Sequence, residues 1–242
     1  MASRDRKSEF VVASTSESGH STPGRRRRLT PSQEDYLKAL YDLGGASASV
    51  NTSPLARRLQ VSVASVTEML GKLDALGLVR HDRYHGVILT ADGEAVALEM
   101  VRHHRLLETY LVEKLGYTWD EVHDEAELLE HVISERMEQR MSDALGHPAV
   151  DCHGDPIPDP AGAVAATGYA SLMQAQAGEQ VTVRRVSDRD SGVLRMAHQL
   201  GLRLGARLEV LAESDYDGPI SIRVQGRRRL IPIGIARAVF VG

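Results

Sequence analysis

Cysteine is nearly absent: Cys152 stands alone in 242 residues. One thiol excludes an internal disulfide and any cluster of thiolate metal ligands. Aromatic residues make up only 4% of the chain, with one tryptophan and two phenylalanines, so aliphatic side chains must supply the core. No apolar run approaches the roughly 20 residues that span a bilayer. The N-terminus has no apolar signal core, which points to a cytoplasmic chain. What is present is ordinary for a soluble globular protein: 42% hydrophobic and 26% charged residues, with a formal charge of -4.

That charge is unevenly spread. Residues 1–30 are net +4, 31–92 net -1, 93–150 net -8 and 151–242 net +1, and five of the ten histidines fall in the acidic third segment. An acidic, histidine-rich middle between more basic ends suggests a cation site there and an anionic partner elsewhere. Residues 1–29 form a Ser-, Gly- and Arg-rich basic tail ending near Arg25–Arg28. They have little to bury, so disorder is the expectation, either as a solvated tail or as one that touches phosphate.

Order is expected from Thr30-Pro31, a helix-start signal. Tyr36, Leu37, Leu40 and Tyr41 follow at helical spacing. A short helix from Ser53-Pro54, a tight turn at Gln60-Val61-Ser62 and a second helix to Gly77 read as a helix-turn-helix. Two strand-like pieces, Leu78–Arg80 and Val87–Thr90, flank a polar turn and make a wing. Residues 30–92 therefore read as a winged DNA-binding domain, although helix pairs of this length also serve as plain hairpins. Its candidate DNA contacts are Ser62, Ala64, Ser65, Thr67, Glu68 and Lys72 on the second helix, with Arg57 and Arg83. Hydroxyls and cations suit phosphate, Ala64 suits a thymine methyl and Glu68 a cytosine amino group.

Residues 93–150 read as two long helices, Ala91 to Leu115 and about Val122 to Leu145. The apolar stripe Ala126, Leu129, Val132, Ile133, Met137 and Met141 suits a dimer core. Residues 151–178, rich in Pro, Gly and Asp, read as a linker holding Cys152. Residues 179–242 read as a small β-barrel, with strands at 180–186, 207–212, 220–224 and 229–232, a helix at 191–200 and a last piece at 236–241. The fold class is mainly α with a small β domain.

The chemistry concentrates on the two long helices. His104 and Glu108 are four residues apart, on one helix face. Glu127, Glu130 and His131 form a second patch, with His123 one turn earlier. Mixed imidazole and carboxylate clusters on facing helices hold metals in helical proteins, although acidic helices also produce such pairs as solvated faces. His103 and His147 read as exposed. The chain has no H-E-x-x-H pattern or nucleophile elbow, which argues against an enzyme, such as a metal-dependent hydrolase.

From about residue 31 onward the sequence resembles the diphtheria toxin repressor and manganese transport regulator family. The segments that carry the likeness are Glu34-Asp35-Tyr36-Leu37, Val61 to Gly77, His104-Arg105-Leu106-Leu107-Glu108, Val122 to His131 and Gly154-Asp155-Pro156-Ile157-Pro158. The resemblance implies a homodimeric, metal-activated repressor of metal-uptake genes that binds palindromic double-stranded DNA. Its fold would be a winged helix, a helical dimerisation domain and an SH3-like (FeoA-type) barrel. It makes Asp35, Glu127, Glu130 and His131 a primary metal site, and His104, Glu108 and His123 an ancillary one to which Asp188 of the barrel adds a ligand. Iron-sensing members carry Met and Cys where this chain has Asp35 and Glu127. Oxygen ligands suit harder Mn2+, so manganese is the expected effector, with Fe2+ or Zn2+ the alternatives. Short manganese-responsive members place a carboxylate one turn after the Asp, where this chain has Lys38, which argues against a binuclear metal site bridged there.

Overall fold

The computed structural model describes residues 29–82, 85–188, 190–212 and 218–242. The expectations for the tail before residue 29 and for Arg83 lie outside the described residues. Helix α1 (Pro31–Asp42) starts where a capping box closes, Thr30 and Gln33 satisfying each other's backbone N–H, with Pro31 in the first turn. Helix α2 (Thr52–Leu59) ends on Gln60 in the left-handed region at φ 55°. Helix α3 (Val63–Ala75) is capped by the Ser62 side chain, which accepts from the Ser65 N–H. Strands β1 (Val79–Asp82) and β2 (Gly86–Leu89) pair antiparallel as the wing. Leu37, Leu40, Leu55, Val66, Leu70, Leu73 and Val87 are fully buried together and form the core of this unit.

Helix α4 (Ala91–Leu115) is the 25-residue spine. Thr90 caps it and also donates to the Gly77 carbonyl, tying the end of α3 to the spine's start. Gly93 in its first turn lies against the Leu78 backbone, where a side chain has no room. The expected second helix, Val122 to Leu145, is in fact two: α5 (Val122–Leu129) and α6 (Glu135–Leu145). Ser134 adopts extended backbone and its hydroxyl accepts from the Met137 N–H, so a cap at Ser134 wins over the continuing apolar period. Ala126 and Met141 pack on Leu107 of α4. Leu128, Val132 and Met137 stay exposed.

The first part of the segment expected to be a linker, residues 151–158, is instead a packed strap, whereas residues 159–170 are mostly exposed. Asp151 accepts from the N–H groups of His153 and Asp155 at 2.8 and 2.9 Å. Asp159 accepts from those of Ala161 and Ala163, both at 2.8 Å. Each Asp thus closes a turn whose fourth residue, Gly154 or Gly162, has positive φ. The strap is held from both sides: Arg102 and Arg105 of α4 donate to the carbonyls of Pro158 and Pro156, and the Val186 N–H donates to the His153 carbonyl.

The C-terminal unit is a six-stranded antiparallel sheet. Its strands are β3 (Ala170–Ser171), β4 (Gln180–Val186), β5 (Arg207–Ala212), β6 (Ile220–Val224), β7 (Arg227–Ile231) and β8 (Val239–Val241), in the order β3-β8-β4-β5-β6-β7. The first strand thus falls inside the stretch assigned to a linker. The last piece, expected at 236–241, is helix α8 (Ile233–Ala238) leading into β8. Helix α7 (Ser191–Leu200), capped by Asp190, covers the aliphatic core of Val183, Leu194, Leu208, Val210, Ile222, Ile231 and Val239.

Candidate metal centre

Three groups of ligand-type side chains converge where α1, α4, α5 and the strap meet. The first joins Asp35, Glu130 and His131, whose ligand atoms lie within 4.8 Å of one another. Asp35 comes from the DNA-binding unit and the other two from the end of α5 and the turn after it. His131 Nε2 lies 3.0 Å from Asp35, and its Nδ1 lies 2.7 Å from Glu34, which sequence reasoning did not single out. Burial raises the Asp35 pKa, against the pull of His131.

The second group is His104, Glu108 and His123. His104 Nε2 and His123 Nδ1 lie 3.0 and 3.2 Å from the same Glu108 oxygen. Burial works against charge on Glu108, yet His104 and His123 hold its carboxyl far below the usual carboxylate range. Hydrogen bonds to Glu108 and Glu127 push His123 up to about 10. Burial also opposes charge on His104, but Glu108 and Glu130 outweigh it and raise its pKa. The two groups touch through His104 Nδ1, 2.5 Å from Glu130 Oε2.

Glu127 stands apart from the first group. Its half-exposed carboxylate faces His123 Nε2 at 3.4 Å, and that partner lowers its pKa to about 2. Asp188 lies on the wall of a cavity of about 90 Å³ shared with Lys38, Arg58, His104, His123 and Arg185, beside the second group. His103, expected to be exposed, is buried: its ring pairs with Glu138 at 3.1 Å and lies 3.2 Å from the Glu130 carbonyl, which the end of α5 leaves without a helical partner. His147 is exposed, as expected.

A third group was missed. Glu108 also faces Cys152 and His153 of the strap. His153 has no exposed surface, its Nε2 lies 4.0 Å from Glu108 Oε1, and neither ring nitrogen has a hydrogen-bond partner. Glu108 Oε2, Asp151 Oδ2 and Asp155 Oδ2 are also buried without hydrogen-bond partners, with Arg105 Nε 3.7 Å from Asp151 Oδ2. Such orphaned atoms are costly unless something polar bridges them, and a divalent cation between Glu108 and His153 would satisfy both. The donor set therefore fits a metal of the kind bound by oxygen and imidazole. Burial, with Glu108 and Asp151 nearby, raises the Cys152 thiol far above its usual range and keeps it protonated. The signal available in sequence was Asp151-Cys-His-Gly, a turn placing a histidine beside a glycine that permits close approach.

The described DNA-binding candidates are all exposed, on α2, α3 and the turn between them. Ser62, Ala64, Ser65, Thr67 and Arg57 are exposed, as are Glu68 and Lys72, which pair with each other at 2.7 Å. A winged helix-turn-helix clamped to a helical body by convergent carboxylate and imidazole groups defines a metal-responsive DNA-binding protein.

Comparison with known families agrees across the chain. Residues 28–87 match the family model "Iron dependent repressor, N-terminal DNA binding domain", residues 90–159 "Iron dependent repressor, metal binding and dimerisation domain", and residues 170–242 "FeoA domain". The "Iron-dependent repressor IdeR" of Mycobacterium leprae is 30% identical over 226 residues, covering 88% of this chain and 97% of that protein. A solved "Manganese-dependent transcriptional repressor complex with manganese" is 42% identical, with TM-score 0.79 over 86% of this chain and 98% of that one. The "Crystal Structure of ScaR with bound Zn2+" is 34% identical, with TM-score 0.72 over 87% and 98%. The chain belongs to the iron-dependent repressor family, whose members are metal-dependent, DNA-binding transcriptional repressors and not enzymes. Among the described residues no helix is long and apolar enough to cross a membrane.

Proposed function

We propose that this protein is a cytoplasmic, Mn2+-activated homodimeric repressor that binds palindromic operators of metal-uptake genes. One observation carries the reading: ligand atoms of Asp35, from the DNA-binding unit, and of Glu130 and His131, from the helical body, lie within 4.8 Å of one another. These residues would hold one ion between the two units, which would fix the angle between them. Asp35, Glu130 and His131 are the primary ligands, and Glu127 would join them by turning from His123, which it faces in this structure. His104, Glu108 and His123 form the second set, extended by His153 of the strap, with Asp188 alongside. Carboxylate donors in place of sulfur suit the harder Mn2+, and the likeness to a repressor solved with manganese supports that choice.

The bound ion supplies two positive charges that cancel carboxylate repulsion across the joint. This chain's residues do the rest. Asp35 transmits the position of α1 to α3, and the dimer sets two α3 helices about 34 Å apart, matching successive major grooves. Shifting such an equilibrium from mostly inactive to mostly active takes roughly 5.5 kcal/mol of differential affinity, within reach of a site with several ligands. Ser62, Ala64, Ser65, Thr67, Glu68, Lys72 and Arg57 form the DNA-facing surface, and the exposed Leu128, Val132 and Met137 belong to the dimer contact.

A mobility-shift titration of palindromic promoter DNA with Mn2+, Fe2+ and Zn2+ at fixed salt tests this. DNA binding that persists in chelator, or that responds to none of the three ions, refutes it. Iron is the second reading, favoured by the relatives named iron-dependent repressors. Asp35→Met combined with Glu127→Cys should then move preference from Mn2+ towards Fe2+; unchanged selectivity sinks the ligand-softness argument.

A further inference from the structure

Lys38 stands one turn beyond Asp35 on α1 and is only 8% exposed. Its ammonium bonds both Glu130 carboxylate oxygens, at 2.8 and 2.7 Å, and lies 3.1 Å from His104 Nδ1. It therefore sits where the Asp35/Glu130/His131 group meets the His104/Glu108/His123 group. Resting on the metal reading above, we propose that Lys38 is a tethered cation that competes with the divalent ion for Glu130, and so sets how much metal is needed to close the joint.

The physical argument concerns the metal-free state. Glu130 is 2% exposed, and a buried carboxylate without a counter-charge is strongly unfavourable. Lys38 supplies that counter-charge on a four-carbon stem anchored to α1. An ion entering the Asp35/Glu130/His131 group must take a Glu130 oxygen that the ammonium already holds. It then sits close to a fixed positive charge in a poorly screened interior. Both effects weaken metal binding. A purely structural Lys38, clipping α1 to α5, would have the opposite consequence, because losing the clip would loosen the ligand set and weaken binding further. The two roles therefore predict opposite signs for one substitution.

The test uses full-length protein stripped of metal. Free Mn2+ is followed by electron paramagnetic resonance during titration, and metal-free unfolding by circular dichroism. Lys38→Met should lower the metal-free melting temperature yet bind Mn2+ at least roughly tenfold more tightly at the Glu130 group. Lys38→Gln should do the same, and stands in should the methionine variant not fold. Lys38→Arg, which restores a fixed cation, should move affinity back towards the weaker wild-type value. Folded neutral variants that bind Mn2+ equally or more weakly overturn the proposal. Wild-type protein that binds no Mn2+, Fe2+ or Zn2+ overturns the metal reading beneath it.

Discussion

Gly154→Ala should uncouple the C-terminal sheet from the metal centre. Gly154 has φ +91°, and a Cβ there would fall on the Arg184 carbonyl oxygen and 2.9 Å from Arg185 Cα. A non-glycine residue in that region costs on the order of 1–3 kcal/mol in backbone strain. The collision adds to this, since both obstacles are backbone. The strap must retreat, and two ties are then strained: the Val186 N–H to His153 carbonyl bond at 2.9 Å, worth about 1 kcal/mol, and the Arg185–Asp155 ion pair at 2.8 Å, worth up to about 1 kcal/mol. A total near 3 kcal/mol lowers the melting temperature by roughly 6–12 °C. His153 rides on the same strap, and metal geometry tolerates displacements of only about 0.5 Å, so Mn2+ affinity should fall as well. Thermal unfolding in chelator, followed by an Mn2+ titration, reads both effects. An alanine variant with wild-type melting temperature and affinity would show that the strap does not position the site.

Three further outcomes are expected. Because His123 carries its proton up to about 10 and a metal needs the neutral ring, Mn2+ affinity should rise roughly tenfold per pH unit between about pH 6 and 8. The metal-free protein should behave oppositely: stability from the His123 pairs is complete below the unfolded imidazole value of about 6.5 and drains away as pH climbs towards about 10. Flat calorimetric affinities across that range contradict this. Removing Lys72 or Arg57 by alanine substitution should lower the salt slope of operator binding by about one phosphate contact each; unchanged slopes remove those residues from the DNA face. Leu128→Glu or Val132→Glu, at exposed apolar positions, should convert a sedimenting dimer to monomer, and an intact dimer places the interface elsewhere.

The helix-turn-helix and wing were legible in sequence because local signals agree there: Thr30-Pro31, the Ser62 cap, Gly77 and the Thr90 cap each mark a boundary, and apolar spacing fills the intervals. The α5–α6 break was hidden because the stripe from Ala126 to Met141 keeps helical period across it. Only Ser134 followed by Glu135 marked the new start. The strap was misjudged for a different reason. Pro, Gly and Asp usually signal exposed loops, but Asp151 satisfies the backbone internally, which lets residues 151–158 be buried and carry His153 inward. Of the site, spacing along helices placed His104 beside Glu108. Spacing also allowed Glu127 to face His123, one turn earlier on α5, but nothing local announces that Lys38 would reach Glu130, because that pairing depends on how α1 and α5 pack on α4.

The order in which the sheet is assembled has a consequence for synthesis. β8, the last strand in sequence, lies between β3 and β4, and β4 is the strand whose end holds the His153 turn in place. A polypeptide still emerging from the ribosome already contains Asp35, His104, Glu108 and Glu130, yet it lacks the wall that closes over His153. The His153 turn is therefore walled in only once β8 has paired with β4.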